Sequence, residues 1–301
     1  MPAVRRALAA AIVLAFVAAP LAGARPILGL TGDDARFHTE TGQVSLVHQV
    51  FLGWGQGQAY GRPLASLIPT LGPVPMLTLS ADRLTPAQIA AGAGDAYLAA
   101  LNRAIAGWGH GIYVRPLAEM NNPGNPWSRD PAAYRRAFAR IDAILHGGAS
   151  AARLRALGLP PYRGPALDSN PFPRLRVVWC ALSNRNAIAP YWPGGAYADV
   201  VGADIYAEGG GPPFAALGSV AAFAQAHDKP FAIPEWGLLS VDDASFVRAL
   251  CGFVHTHAVE AVLFYRSRSG SRVDLGDKPA ARAAARACLA PDGASLPAWA
   301  R

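Results

Sequence analysis

The chain has 301 residues, of which 52% are hydrophobic and 16% charged, with a formal net charge of +7. That composition excludes a disordered or low-complexity chain and is enough for one large core. Of the 27 basic residues 25 are arginine, scattered along the chain, so the charge follows composition and implies no nucleic-acid partner.

Residues 1–24 run from MPAVRR through ALAAAIVLAFVAAPLAGA to the small-x-small end Ala22-Gly23-Ala24. This is the pattern of a cleaved export signal rather than of a membrane anchor, and it places the product in the periplasm or the medium. Residues 25–301 hold no further apolar run of membrane-spanning length and are expected to form one monomeric domain without a stable membrane anchor.

Eight short apolar runs follow in order: ILGL (27–30), LVHQVFLGW (46–54), VPMLTL (74–79), GIYVRPLAE (111–119), LRVVWCAL (175–182), DVVGADIY (199–206), PFAIPEWG (230–237) and VEAVLFY (259–265). Between them lie helix candidates at 86–106, 131–146, 214–227 and 242–257, some opened by capping signals such as TPAQ and SRDPAAY. Residues 31–44 leave little room for a full helix, and 147–174 reads as a Gly/Pro-rich insertion. Eight strand-then-helix units in one domain predict a (β/α)8 TIM barrel. An open doubly wound sheet is the alternative, though no GxGxxG follows any run.

Three cysteines make no disulfide framework. Cys251 and Cys288 fall on predicted helices and could pair in an exported protein, whereas Cys180 lies in a strand. There is no CxxC, and His255 and His257 are two apart on a helix, so their rings diverge. No metal and no cofactor is expected.

Barrel active sites lie at the C-terminal ends of strands, which gives the polar residues there their interest. The chain has only five Glu, and Glu119 and Glu235 each end an apolar run. Alternation puts Tyr113, Arg115, Leu117 and Glu119 on one face, Val200, Gly202, Asp204 and Tyr206 on another, and Phe231, Ile233 and Glu235 on a third. Arg115, Glu119, Asp204, Tyr206 and Glu235 can then converge in the barrel mouth, as a buried Arg needs carboxylate partners. A structural ion-pair layer is the plainer reading of the same residues.

The motif YVRPLAEMN resembles RPxHEMN of glycoside hydrolase family 26, the endo-β-mannanase family, and PFAIPEWG is similar to that family's nucleophile strand. The likeness extends to PMLTL, VVWCALSN and YADVVGADIY in the same order. The resemblance implies a retaining barrel glycosidase acting on a polysaccharide or oligosaccharide, with the catalytic pair on the fourth and seventh strands. Glu119 would be the acid/base and Glu235 the nucleophile, about 5 to 5.5 Å apart. Arg115 and Tyr206 would hold Glu235 ionised. The family has His before the acid/base where this chain has Ala118, which touches sugar specificity more than hydrolysis.

Trp54, Trp127, Trp179, Trp192 and Trp236 lie at or near predicted strand ends, where indoles can stack on pyranose rings, Trp236 being the foremost. Asn121, Asn122 and Asn184 could bond sugar hydroxyls or simply form turns. Three functions fit: a retaining endo-glycosidase with β-mannan favoured, the same chemistry on a glucan or xylan, or a non-catalytic glycan-binding relative.

Overall fold

The computed structural model describes residues 25–54, 58–59, 62–81, 83–183, 187–209, 213–289 and 295–301. Residues 1–24, and with them the expected export signal, lie outside the described residues, as does Asn184. No helix among the described residues is long and apolar enough to cross a membrane.

All eight apolar runs become strands of one closed parallel barrel: β1 (Ile27–Thr31), β2 (Val47–Gly53), β3 (Val74–Ser80), β4 (Ile112–Pro116), β5 (Leu175–Leu182), β6 (Val200–Ala207), β7 (Phe231–Leu238) and β8 (Val259–Tyr265). Each pairs with its sequence neighbours, and β1 closes on β8. A barrel strand is covered on both faces, inside by other strands and outside by helices, which is why these runs are continuously apolar rather than alternating.

The outer layer departs from the expectation in three places. Residues 31–44 do carry a helix, α1 (Asp34–Thr41), fitted by the Asp33 side chain accepting from the Arg36 N–H and by Gly42 ending it at φ 73°. The predicted helix over 86–106 is two pieces, Pro86–Ala90 behind a Thr85–Gln88 capping box and α2 (Asp95–Trp108). Gly94 parts them at φ 89°, and a Cβ there would lie 1.9 Å from the Trp54 indole nitrogen. The third departure is between β5 and β6, where the only described helical segment is the 3-10 turn Ala189–Tyr191. Further helices are α3 (Pro131–Leu145), α4 (Phe214–Ala226), α5 (Ala244–Thr256) and α6 (Pro279–Cys288). The 147–174 insertion adds one short helix, Ala151–Ala156.

The core has two layers. Outward strand residues such as Val114, Trp179, Val201 and Ile233 pack under the helices, while Val74, Met76, Val178, Val200 and Leu263 fill the barrel. At its N-terminal end the Tyr113 hydroxyl donates to Glu260, 2.6 Å, and Arg176 pairs with the other Glu260 oxygen, 2.7 Å. Trp299 covers this pair, 4.0 Å from the Arg176 guanidinium. The barrel is therefore shut at that end and open at the other.

Cys251 of α5 and Cys288 of α6 form a disulfide with Cα atoms 6.2 Å apart, and Cys180 is buried and free. The bond ties the last two helices of the outer ring together.

Candidate active site

At the C-terminal mouth a cleft of about 290 Å³ is lined by Phe51, Thr78, Arg115, Ala118, Glu119, Asn125, Trp127, Tyr206, Glu235 and Tyr265, among others. A larger cavity of about 380 Å³ lies behind the loop after β4, beside Asn121, Arg129 and Tyr191, and neither Glu119 nor Glu235 lines it. The carboxylates make the smaller cleft the one to examine for chemistry.

Two breaks in strand alternation bring those carboxylates into it. On β4 the pattern holds through Pro116, with Tyr113 and Arg115 facing inward. Leu117 and Glu119 then take left-handed conformations, φ 50° and 53°. The phase reverses, so Leu117 joins the outer core and Ala118 the inner one. Glu119 is thus not the last strand residue on the face of Leu117, as alternation predicts, but the third residue of a tight loop. Its N–H donates to the Cys180 carbonyl, 2.8 Å, while Trp127 Nε1 and Asn125 Nδ2 donate to the Ala118 carbonyl. These bonds offset the roughly 1 kcal/mol or more that a left-handed non-glycine residue costs.

On β7, Gly202 of β6 faces Ala232 and Ile205 faces Trp236, so β7 carries one extra residue across Pro234. This bulge rotates the strand by one position. Phe231 and Ile233 face the helices, and Glu235 faces the barrel, which corrects the expectation that the three share a face. The β6 split holds throughout: Val201, Ala203 and Ile205 point outward, and Asp204 and Tyr206 inward.

Glu235 is 5% exposed, and both its oxygens are engaged. Arg115 Nη1 pairs with Oε1, to which Gln49 Nε2 also donates, 3.1 Å, and the Tyr206 hydroxyl donates to Oε2. The second Arg115 nitrogen pairs with Asp204, itself completely buried, whose other oxygen accepts from the Cys180 thiol at 3.4 Å. Burial works against the Arg115 charge, yet Asp204 and Glu235 hold its pKa well above the ordinary value. Burial pushes Asp204 up, against the pull of Arg115, and pushes the Tyr206 phenol up together with the Glu235 charge. Tyr206 therefore stays a neutral donor. Gly237 gives its ring room, since a Cβ there would sit 3.0 Å from the ring carbons.

Glu119 has a lighter set of partners. Asn122 Nδ2 donates to Oε2 at 2.8 Å. The two carboxyl groups thus share one cleft but differ in setting, one clamped by a cation and donors, the other held on one side.

Of the residues singled out in the sequence, Arg115, Glu119, Tyr206, Glu235 and Trp127 meet in the cleft, with Asp204 beneath. Four indoles do not. Trp236 is 1% exposed and packs on Phe264, Trp179 is fully buried among Trp192 and Phe223, Trp54 lies under Gly94 against Tyr97, and Trp192, partly buried, packs on Trp179, Phe223 and His227. An indole with both faces covered cannot receive a sugar, so Trp236, Trp179 and Trp54 are packing residues. Asn121 clasps β5 by donating to the Leu182 carbonyl and accepting its N–H, which makes it a loop anchor.

Sequence reasoning missed Gln49, Thr78, Phe51 and Tyr265. Gln49 and Phe51 share the inward phase of β2, and a Gln inside LVHQVFLGW is the same kind of signal as the Glu in YVRPLAE. Phe51 and Tyr265 meet edge to face, 5.8 Å between centroids, and with Trp127 they supply the aromatic walls that the other indoles do not.

Among the described residues, the one group of ligand-type atoms close enough for a metal ion is Asp142, His146 and Asp199, within 4.8 Å of one another. It lies at the closed end of the barrel. There His146 Nε2 meets Asp199 at 2.9 Å and Asp142 at 3.4 Å, and Arg153 meets Asp142 at 3.3 Å.

No family model matches the chain. An 86-residue stretch is 29% identical to endoglucanase H of Acetivibrio thermocellus, which is 29% of this chain and 9% of that protein. The fold is similar to an endo-β-1,4-mannanase of Cellulomonas fimi, with a TM-score of 0.63 and 14% identity over 86% of this chain and 70% of that one. It is also similar to a family 26 β-mannanase from Bacteroides ovatus, with a TM-score of 0.57 and 16% identity over 87% and 86%. A third is the β-mannanase from a symbiotic protist of the termite Reticulitermes speratus, solved with a gluco-manno-oligosaccharide, with a TM-score of 0.58 and 15% identity over 88% and 86%. At such identities the likeness shows architecture: the chain has the (β/α)8 barrel found in the β-mannanases of family 26, the family its motifs resemble.

Proposed function

We propose that the protein is an exported, retaining glycoside hydrolase that cleaves a β-linked polysaccharide, with β-mannan its favoured substrate. The observation that carries this is the pair Glu119 and Glu235 in one cleft at the barrel mouth, with opposite degrees of restraint. Glu235, gripped by Arg115, Gln49 and Tyr206, is held in place to attack the anomeric carbon. Glu119, with Oε1 unpartnered among the described residues, is suited to protonate the departing glycosidic oxygen.

In the first step Glu235 displaces the leaving sugar and forms a glycosyl ester with inversion, while Glu119 gives its proton to the leaving oxygen. In the second, Glu119 takes a proton from water, which attacks the same carbon and releases Glu235, so two inversions retain configuration. Phe51, Trp127 and Tyr265 provide ring faces for sugar stacking. The mannan preference is supported by the motif resemblance and by neighbours named as mannanases. Export is supported by the pattern of residues 1–24, and a monomer by the single closed barrel.

A second reading, a β-glucan substrate, is favoured by Ala118 in place of the family's His and by the segment similar to a protein named endoglucanase. The test is turnover on mannan, xylan, mixed-linkage glucan and aryl β-glycosides, with Glu235→Gln alongside. The proposal expects β-configured product and loss of nearly all turnover in the variant, since an amide cannot serve as the nucleophile. Wild-type turnover by folded Glu235→Gln refutes the assignment, and sugar binding without any turnover supports a non-catalytic relative.

A further inference from the structure

We propose that Asn122 is a positioning residue that dictates which oxygen of Glu119 delivers the proton; this rests on reading Glu119 as the acid/base. The Asn122 side chain is held at both ends. Its Oδ1 accepts the Gly124 backbone N–H at 3.1 Å, and its Nδ2 donates to Glu119 Oε2 at 2.8 Å. The Gly124 N–H can only donate, so it sets the orientation of the amide, and turning the amide over would face two acceptors across the Glu119 contact. The loop itself is tied down. The Asn122 N–H donates to the Glu119 carbonyl, the Asn125 N–H to the Asn122 carbonyl, and Asn125 Nδ2 to the Glu119 carbonyl at 3.0 Å.

The amide NH2 donates and cannot accept, so Glu119 Oε2 must accept in both protonation states. A proton on Oε2 would have to compete with Nδ2 for the same lone pairs. The proton of the acid form therefore resides on Oε1, which passes it to the glycosidic oxygen and regains one from the attacking water. Asn122 also stops the carboxyl from turning, and without it the carboxyl swings off the line of proton delivery.

The experiment compares Asn122→Ala and Asn122→Asp with the parent. Asn122→Asp keeps the acceptor for Gly124 and replaces only the donor that faces Glu119. Both variants should lose roughly ten- to a hundredfold in kcat/KM, which reports glycosylation, on aryl glycosides with poor leaving groups, the range of one charge-assisted hydrogen bond. KM on these substrates should stay near the parent's, and the kcat/KM of substrates whose leaving groups need no proton should fall far less. Activity of Asn122→Asp should recover as pH falls, because the introduced carboxyl, once protonated, again offers a donor. That carboxyl faces Glu119, which shares its cleft with Arg115, Glu235, Tyr206 and Tyr265, and Arg129 lies on the same loop beside Asn121 and Pro123; the parent shares all of them, so the comparison isolates position 122. Equal losses across leaving groups, no loss, or an Asn122→Asp profile parallel to the parent's overturns the proposal.

A readout independent of turnover separates this from failure of the glycosidase reading. The side-chain amide signals of Asn122, followed by NMR in 15N-labelled protein, should show one strongly hydrogen-bonded proton that moves on Glu119→Ala. If the parent hydrolyses nothing yet that signal moves, the contact stands and the enzymatic role falls with the function. Signals that ignore Glu119→Ala overturn the contact itself.

Discussion

Arg115→Ala removes the only cation among the described residues that touches Asp204 and Glu235. Arg115 is 1% exposed, Asp204 not at all and Glu235 5%, so water cannot replace the lost partner. Breaking a buried pair by deleting one side costs about 3 to 5 kcal/mol, and here two carboxylates lose the same guanidinium. A loss of about 4 kcal/mol, at roughly 2 °C per kcal/mol for a chain this long, lowers Tm by about 8 °C. The pH dependence has a definite sign. Burial already pushes Asp204 up, and without Arg115 its folded pKa rises further above the unfolded value. Stability tied to a raised pKa is present at low pH and lost as pH rises, so the deficit of the variant should grow from pH 5 to pH 8. Thermal unfolding at both pH values tests this, with Arg115→Ala/Asp204→Asn as the partner variant. The double variant should recover part of the deficit by removing one stranded charge. A Tm within 2 °C of the parent at pH 8, about 1 kcal/mol at that same slope, would refute the network reasoning, as would a deficit that ignores pH.

Glu119→Ala should lose most turnover on natural glycans and far less in the glycosylation step with activated aryl glycosides, and azide should then speed turnover and give a β-glycosyl azide; losses independent of the leaving group, without azide rescue, would count against it. Replacing Cys251 and Cys288 by Ser opens a loop spanning 37 residues, which the chain-entropy relation puts at about 4 kcal/mol, read as a lower denaturant midpoint with a slope no shallower than the parent's, because the unfolded chain expands. At the closed end of the barrel burial raises Asp142 to about 7, and His146 is raised by Asp199 and Asp142 against its own burial. Asp142 loses stability as pH climbs from about 4 through 7, and His146 keeps its contribution below about 6.5 and loses it as pH rises through its raised value, whereas Asp243 and Asp274, both lowered, lose theirs only as pH falls below about 4. The parent should therefore be most stable near pH 4 and lose on the order of 4 kcal/mol by pH 8, and Asp142→Asn should flatten part of that slope in denaturant titrations.

The barrel was readable from the chain because parallel strands buried on both faces leave continuous apolar runs, and all eight runs became strands. What escaped was phase. Alternation is a local rule, and the left-handed steps at Leu117 and Glu119 and the extra residue at Pro234 are set by contacts with β5 and β6, far away in sequence. Alternation did hold a warning about Trp236, since the neighbour of an inward carboxylate faces outward. The same rule, counted from Cys180 inward, turns Trp179 toward the helices. The break in the helix over 86–106 had a local sign in Gly92 and Gly94, both at positive φ, whereas the Trp54 indole lying against Gly94 is a contact no local propensity contains. Gln49 was legible in kind, a polar residue in an apolar run, but nothing nearby in sequence pointed to its partner Glu235.

The seam where β1 meets β8 joins the two ends of the barrel, and a cluster of charges bolts it. Arg266, just past β8, pairs with both oxygens of Glu40 in α1, at 2.7 and 3.1 Å, and with Asp274 at 2.9 Å, while Arg36 joins the same two acids. Arg266 and Glu40 are 226 residues apart, so the pair closes a loop of most of the chain, at a cost that grows only with the logarithm of its length. Stabilisation gained after the transition state falls on the rate of opening, so a cluster that engages only once β1 meets β8 lengthens the life of the closed barrel more than it speeds its formation.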